Sequence, residues 1–149
     1  MKISQTTQSS EETIFFASSF AQNLRRGDVV ALYGELGSGK TQFVKGLCRF
    51  YMVSPQVTSP TFVIMNRYDG MDKDGKSILV YHFDLYRISS LTEIYDLGYE
   101  EFLYSDGICV IEWAEYLGNL RPDQRYDIHF QFGKHESERR IEIMKVNQG

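Results

Sequence analysis

Apolar residues recur along this chain in two different periods, and the points where one replaces the other mark its elements. Ile14, Ala17, Phe20, Ala21 and Leu24 recur at helical spacing. Ser9 with Glu12 three residues later forms a capping box in front of them, and Gly27 is placed to end the helix. Residues 1–8 are a short polar lead-in, either an edge strand or a loose end. Val29 to Tyr33 is an unbroken apolar run of the kind buried in the middle of a parallel sheet. From Lys40 to about Tyr51 the period returns to helical, with Phe43, Val44, Leu47 and Phe50 on one side.

After Ser54 and Pro55 a polar loop runs into a strand that reaches Met65, and the charged stretch from Asp69 to Lys76 is a hairpin connection to a strand from Ile78 to Asp84. Ser90 with Glu93 repeats the capping-box spacing ahead of Leu91, Ile94, Tyr95 and Leu97, and Glu100 to Tyr104 adds a further turn. Ile108 to Trp113 is the second strongly apolar strand. Tyr126, Ile128, Phe130 and Phe132 share one parity, with Phe130 and Phe132 as core. A turn from Gly133 to Glu138 then leads to Ile141, Ile143 and Lys145, which completes a C-terminal antiparallel hairpin. Strands interleaved with helices and flanked by hairpins predict an α/β fold with a mixed sheet.

Composition narrows this picture. The 149 residues are 42% hydrophobic and 24% charged, enough to bury a core and too apolar for a disordered chain. With no repeat or proline-rich linker, residues 1–149 read as a single domain. The net charge of −4 argues against a broad basic groove for nucleic acid. No segment has the apolar length of a signal peptide or a membrane span, so a cytoplasmic protein without membrane contact is expected. Cys48 and Cys109 each stand in an apolar stretch without metal-type spacing and read as reduced packing residues.

Chemistry concentrates at Gly34-Glu35-Leu36-Gly37-Ser38-Gly39-Lys40-Thr41, which matches G-x-x-x-x-G-K-[ST] between a predicted strand and a predicted helix. Such a loop wraps its backbone N–H groups around phosphate oxygens at the positive end of the helix that starts with Lys40, Thr41 and Gln42. In this motif Lys40 bridges the β- and γ-phosphates and the Thr41 hydroxyl binds Mg²⁺. A second carboxylate on the metal side belongs at a neighbouring strand end, and there are two candidates. Glu112 ends the more uniformly apolar run and comes first, with Asp84 as the alternative. His82 shares a strand face with Asp84, but no third ligand is evident. Thr58, Ser59 and Thr61 form a hydroxyl-rich loop of the kind that senses a γ-phosphate. No N-K-x-D guanine-reading motif occurs, and Asp72-Lys73-Asp74-Gly75 sits in a charged hairpin, so ATP is favoured over GTP.

Several separated blocks together resemble the bacterial TsaE (YjeE) family, the P-loop ATPase required for the threonylcarbamoyladenosine modification of tRNA. They are the loop from Gly34 to Thr41, Val57-Thr58-Ser59-Pro60-Thr61-Phe62, His82-Phe83-Asp84-Leu85-Tyr86-Arg87, Asp96-Leu97-Gly98 and Ile111-Glu112-Trp113-Ala114-Glu115. Glu35 and Ser38 stand where members usually carry Asp and Ala, at positions that contribute mainly backbone. The resemblance implies a P-loop NTPase-like fold and an ATPase that works through two partner proteins, TsaD and TsaB, with tRNA met only indirectly through that complex. It implies that Thr41 and Glu112 hold Mg²⁺, that Asp84 lies near the phosphates, that Thr61 belongs to a switch loop and that Trp113 stands at the catalytic end of the site. It also brings Ser10 and Thr13 toward the nucleotide base. Two other readings stay open on the residues alone: a small-molecule kinase with Asp84 as base, and a non-catalytic nucleotide-binding module.

Overall fold

A computed structural model describes residues 2–53 and 64–147 of the chain. In chain order its elements are β1 (Lys2–Thr7), α1 (Ser10–Phe20), β2 (Val29–Tyr33), α2 (Lys40–Phe50), β3 (Met65–Met71) and β4 (Ser77–Asp84). There follow α3 (Leu91–Asp96), α4 (Tyr99–Leu103), β5 (Ile108–Glu112), β6 (Gln124–Phe132) and β7 (Arg139–Asn147). The strands form one mixed sheet in the order β1-β7-β6-β2-β5-β4-β3. Its centre, β6-β2-β5-β4, is parallel. β3 pairs antiparallel at one side, and β7 and β1 extend the other.

The alternation of side chains on β2 divides the core. Val30 and Leu32 pack with Ala17, Phe20, Phe43, Val44 and Leu47 of α1 and α2. Val29, Ala31 and Tyr33 face Ile94, Tyr99, Leu103 and Leu117 on the other side. Both faces of β2 and β5 are buried, which is why these strands read as continuous apolar runs. α1 and α2 approach closely at Gly46, where an added Cβ would lie 2.3 Å from the Ile14 carbonyl oxygen. Cys48 and Cys109 are free and buried, and burial pushes the Cys48 thiol up to about 12.

The lead-in pairs as the edge strand β1, in register with β7 from Lys2 opposite Met144 to Thr7 opposite Arg139. Five local expectations need correction. β3 begins at Met65 and runs to Met71, so Asp69, Gly70 and Met71 pair with β4 and the connection shortens to residues 72–76, where Asp72 accepts the Asp74 and Lys76 N–H groups. α1 ends at Phe20, before Gly27. A single 3-10 turn over Ala21–Asn23 follows, and Leu24 is extended, because Asp28 accepts from the Arg25 N–H and turns the chain into β2. In both capping boxes the glutamate reaches one residue further back than expected. Glu12 accepts from the Gln8 N–H at 2.9 Å while Ser9 caps Glu12, and Glu93 accepts from Ser89 while the Ser90 side chain makes no cap bond. Phe132 shares the core face of β6 but is exposed at its end, under the Arg139 guanidinium, whereas Phe130 is core. β5 stops at Glu112, and Trp113 leaves the strand in the left-handed region at φ 60°.

Candidate functional site

The carboxyl ends of β2, β4 and β5 converge on the start of α2, the crevice where open parallel sheets place their ligands. β2 gives way to the glycine loop. Gly39 precedes the helix at φ 110°, a conformation a side chain would resist, and so Lys40 and Thr41 emerge directly from the turn. A cleft of about 800 Å³ opens there, lined by loop and α2 residues Leu36, Gly37, Gly39, Lys40, Thr41 and Gln42, and by Asp84, Glu112 and Trp113 at the strand ends.

Lys40 folds back over the loop and donates to the carbonyls of Gly34 and Glu35 at 2.5 and 3.0 Å. Its Nζ also lies 4.0 Å from the centre of the Trp113 ring. The left-handed turn at Trp113 swings the indole onto the lysine, and strained non-glycine backbone of this kind clusters at functional sites. Tyr86 and Tyr116 flank the indole at centroid separations of 5.0 and 6.0 Å. Burial pulls the Lys40 ammonium below its ordinary range, opposed by the charges of Glu112, Glu115 and Asp84.

Asp84 and Glu112 are register partners on adjacent strands, and both belong to the sheet face beneath α2. Glu112 is 3% exposed and accepts the Thr41 hydroxyl at 3.1 and 3.3 Å on its two oxygens. His82 Nε2 lies 2.6 Å from Glu112 Oε2. Asp84 instead accepts the Tyr86 N–H at 3.1 Å, capping the loop that follows β4. Burial holds its carboxyl above the usual carboxylate range, against the lowering effect of that N–H bond. The Thr41 hydroxyl and the Glu112 carboxylate are hard oxygen donors of the kind Mg²⁺ takes. Among the described residues no group of three or more His, Cys, Asp or Glu has metal-binding geometry.

The other expected residues divide. Ser10 and Thr13 of α1 line the cleft opposite the strand ends, with Thr13 buried and hydrogen-bonded to the Thr7 hydroxyl at 2.7 Å. Glu35 contributes its carbonyl to Lys40, and its side chain stays outside the cleft lining. Ser38 is buried beneath the loop. Its hydroxyl has no partner among the described residues, and an added Cβ on Gly34 would come within 2.5 Å of it. Thr58, Ser59 and Thr61 lie outside the described residues. Among the lining residues that sequence reasoning missed are Glu136 and Ser137 of the β6–β7 turn and Arg139 at the start of β7, which close the cleft beside α1. Arg139 donates to the Gly37 carbonyl at 3.3 Å, tying that turn to the glycine loop. The signal available was position alone: a hairpin that returns to the edge of the sheet beside β1 brings its turn to the loop's end.

Strand, glycine loop, helix and converging parallel strand ends define a P-loop NTPase-like protein. Residues 7–141 match the family model described as threonylcarbamoyl adenosine biosynthesis protein TsaE, and the chain belongs to this family. The TsaE protein of Treponema pallidum is 37% identical over 117 residues, 78% of this chain and 82% of its own length. That of Bacillus subtilis is 38% identical over 122 residues, 82% and 73% of the two chains. The crystal structure of YdiB from Bacillus subtilis superposes with a TM-score of 0.76 at 30% identity, over 99% of this chain and 87% of that one. Both named relatives are tRNA threonylcarbamoyladenosine biosynthesis proteins. No described helix is long and apolar enough to cross a membrane.

Proposed function

We propose that this protein binds ATP with Mg²⁺ and hydrolyses it as an accessory subunit for the threonylcarbamoyladenosine modification of tRNA, acting in the cytoplasm through TsaD and TsaB. The observation that carries the proposal is the convergence of Lys40, Thr41 and Glu112 in one cleft at the end of β2 and β5. The loop from Glu35 to Gly39 would cradle the β-phosphate with its N–H groups, aided by the amino end of α2. Lys40 would exchange its carbonyl partners for β- and γ-phosphate oxygens, and Trp113 would keep the ammonium aimed across the loop. Thr41 and Glu112 would hold Mg²⁺, which when bound neutralises charge on the phosphates. Asp84 would face the phosphates from the neighbouring strand end. Ser10 and Thr13, with Arg139 beside them, would enclose the base.

The test is ATP turnover with Mg²⁺, measured on the protein alone and with TsaD, TsaB and tRNA. The expected result is hydrolysis that rises when the partners are present. Phosphorylation of a small acceptor with no partner present would replace this reading with a kinase in which Asp84 is the base.

A further inference from the structure

β3 and β4 carry a line of polar side chains that ends on Glu112 and lies outside the cleft lining. His82 is fully buried. Its Nδ1 is 3.1 Å from the Tyr68 hydroxyl, and its Nε2 is 2.6 Å from Glu112 Oε2. Asn66 in turn donates to the Tyr68 oxygen at 3.3 Å. An ionised carboxylate only accepts hydrogen bonds, so Nε2 is the donor to Glu112. The chain of contacts therefore runs from β3 through β4 to β5 and then to Thr41 on α2.

We propose that His82, backed by Tyr68, is a positioning residue for Glu112. It ties one oxygen of the carboxylate to the sheet and holds the group facing the Thr41 hydroxyl. A nearly buried carboxylate needs fixed donors. The Thr41 contact spans both carboxylate oxygens from the cleft, and His82, buried outside the cleft lining, holds Oε2, as the supporting hydrogen bonds of metal-binding carboxylates do. Asp84 has no such support from His82, although the two share a strand and a face. This inference rests on the reading that Thr41 and Glu112 hold Mg²⁺.

The experiment measures binding of a non-hydrolysable ATP analogue to the full chain, first without divalent cation and then across a Mg²⁺ titration. His82→Leu removes the donor, His82→Gln restores an amide N–H in the same direction, and Tyr68→Phe removes only the supporting hydroxyl. His82→Leu is expected to raise the half-saturating Mg²⁺ concentration by about 10-fold or more. Tyr68→Phe should raise it by a few-fold, and His82→Gln should lie near wild type, all with unchanged analogue affinity in the absence of metal. A wild-type Mg²⁺ requirement in His82→Leu overturns the proposal, as does equal damage in His82→Leu and His82→Gln. If His82→Leu does not fold, Tyr68→Phe decides, and a wild-type requirement there overturns it. Glu112→Gln run alongside separates the two levels: no change in that variant refutes the metal reading itself, whereas a change there with none in His82→Leu refutes only the role of His82.

Discussion

β4 and β5 end side by side with a carboxylate on each, in register and on the same face of the sheet, yet the two ends are built differently. Glu112 is sealed between the Thr41 hydroxyl and the His82 ring. Asp84 turns to cap its own loop at Tyr86, and its carboxyl is held up by burial. A strand-end carboxylate is thus given its task by the elements that reach it. Thr41 of α2 and the buried His82 of β4 reach Glu112, and neither gives Asp84 a hydrogen-bond donor among the described residues.

The largest expected effect falls on the group both carboxylates face. Lys40→Ala should weaken ATP binding by about 100-fold, since it removes charge-assisted bonds to the phosphates, and undiminished affinity by calorimetry would contradict this. Next comes Glu112→Ala, which should leave ATP binding within a few-fold and lower turnover by about 100-fold or more. Wild-type turnover in that variant would transfer the role to Asp84. Asp84→Asn should lower turnover by less, about 10-fold, on the proposal that this group faces the phosphates without holding the metal. A loss equal to that of Glu112→Ala would erase the difference between the two strand ends.

The smallest effect is on stability. Burial raises the folded-state pKa of Asp84, so the ionised carboxyl costs stability above that pKa, and the cost disappears as pH falls through it. Asp84→Asn keeps an oxygen for the Tyr86 N–H and carries no charge. Its melting temperature should exceed wild type at pH 7.5 and converge with it as the pH falls into the ordinary carboxylate range, checked by thermal melts without nucleotide or metal. A variant less stable than wild type at pH 7.5 would mean that Asp84 is stabilised by its charge.

Much of this arrangement is legible before any coordinates. β2, α2 and β5 are bounded by signals that act locally: apolar runs enclosed on both faces, and a glycine loop whose motif demands a strand before it and a helix after it. Ranking Glu112 ahead of Asp84 for the metal side rests on the same logic, and the more uniformly buried strand is indeed the one next to β2, with Glu112 facing Thr41. What escapes the sequence is long-range. The cleft's third wall comes from Glu136 to Arg139, more than ninety residues from the glycine loop, and nothing in that turn announces its neighbour. The buried partner of Glu112 is a histidine thirty residues away that reads equally well as packing. Trp113 continues an apolar pattern, so its left-handed turn onto Lys40 is invisible to periodicity. Phe132 keeps the parity of the core strand, but at the end of β6 no element is left to cover it, and Arg139 does so instead.

The central claim is that Thr41 and Glu112 hold the metal while Asp84 does not. A crystal structure with ADP and Mg²⁺ tests it most directly. The account predicts the ion about 2.1 Å from the Thr41 hydroxyl oxygen and bound by Glu112, directly or through one water, with His82 still hydrogen-bonded to that carboxylate. An ion coordinated by Asp84, with Glu112 left on Thr41 and His82, would contradict it.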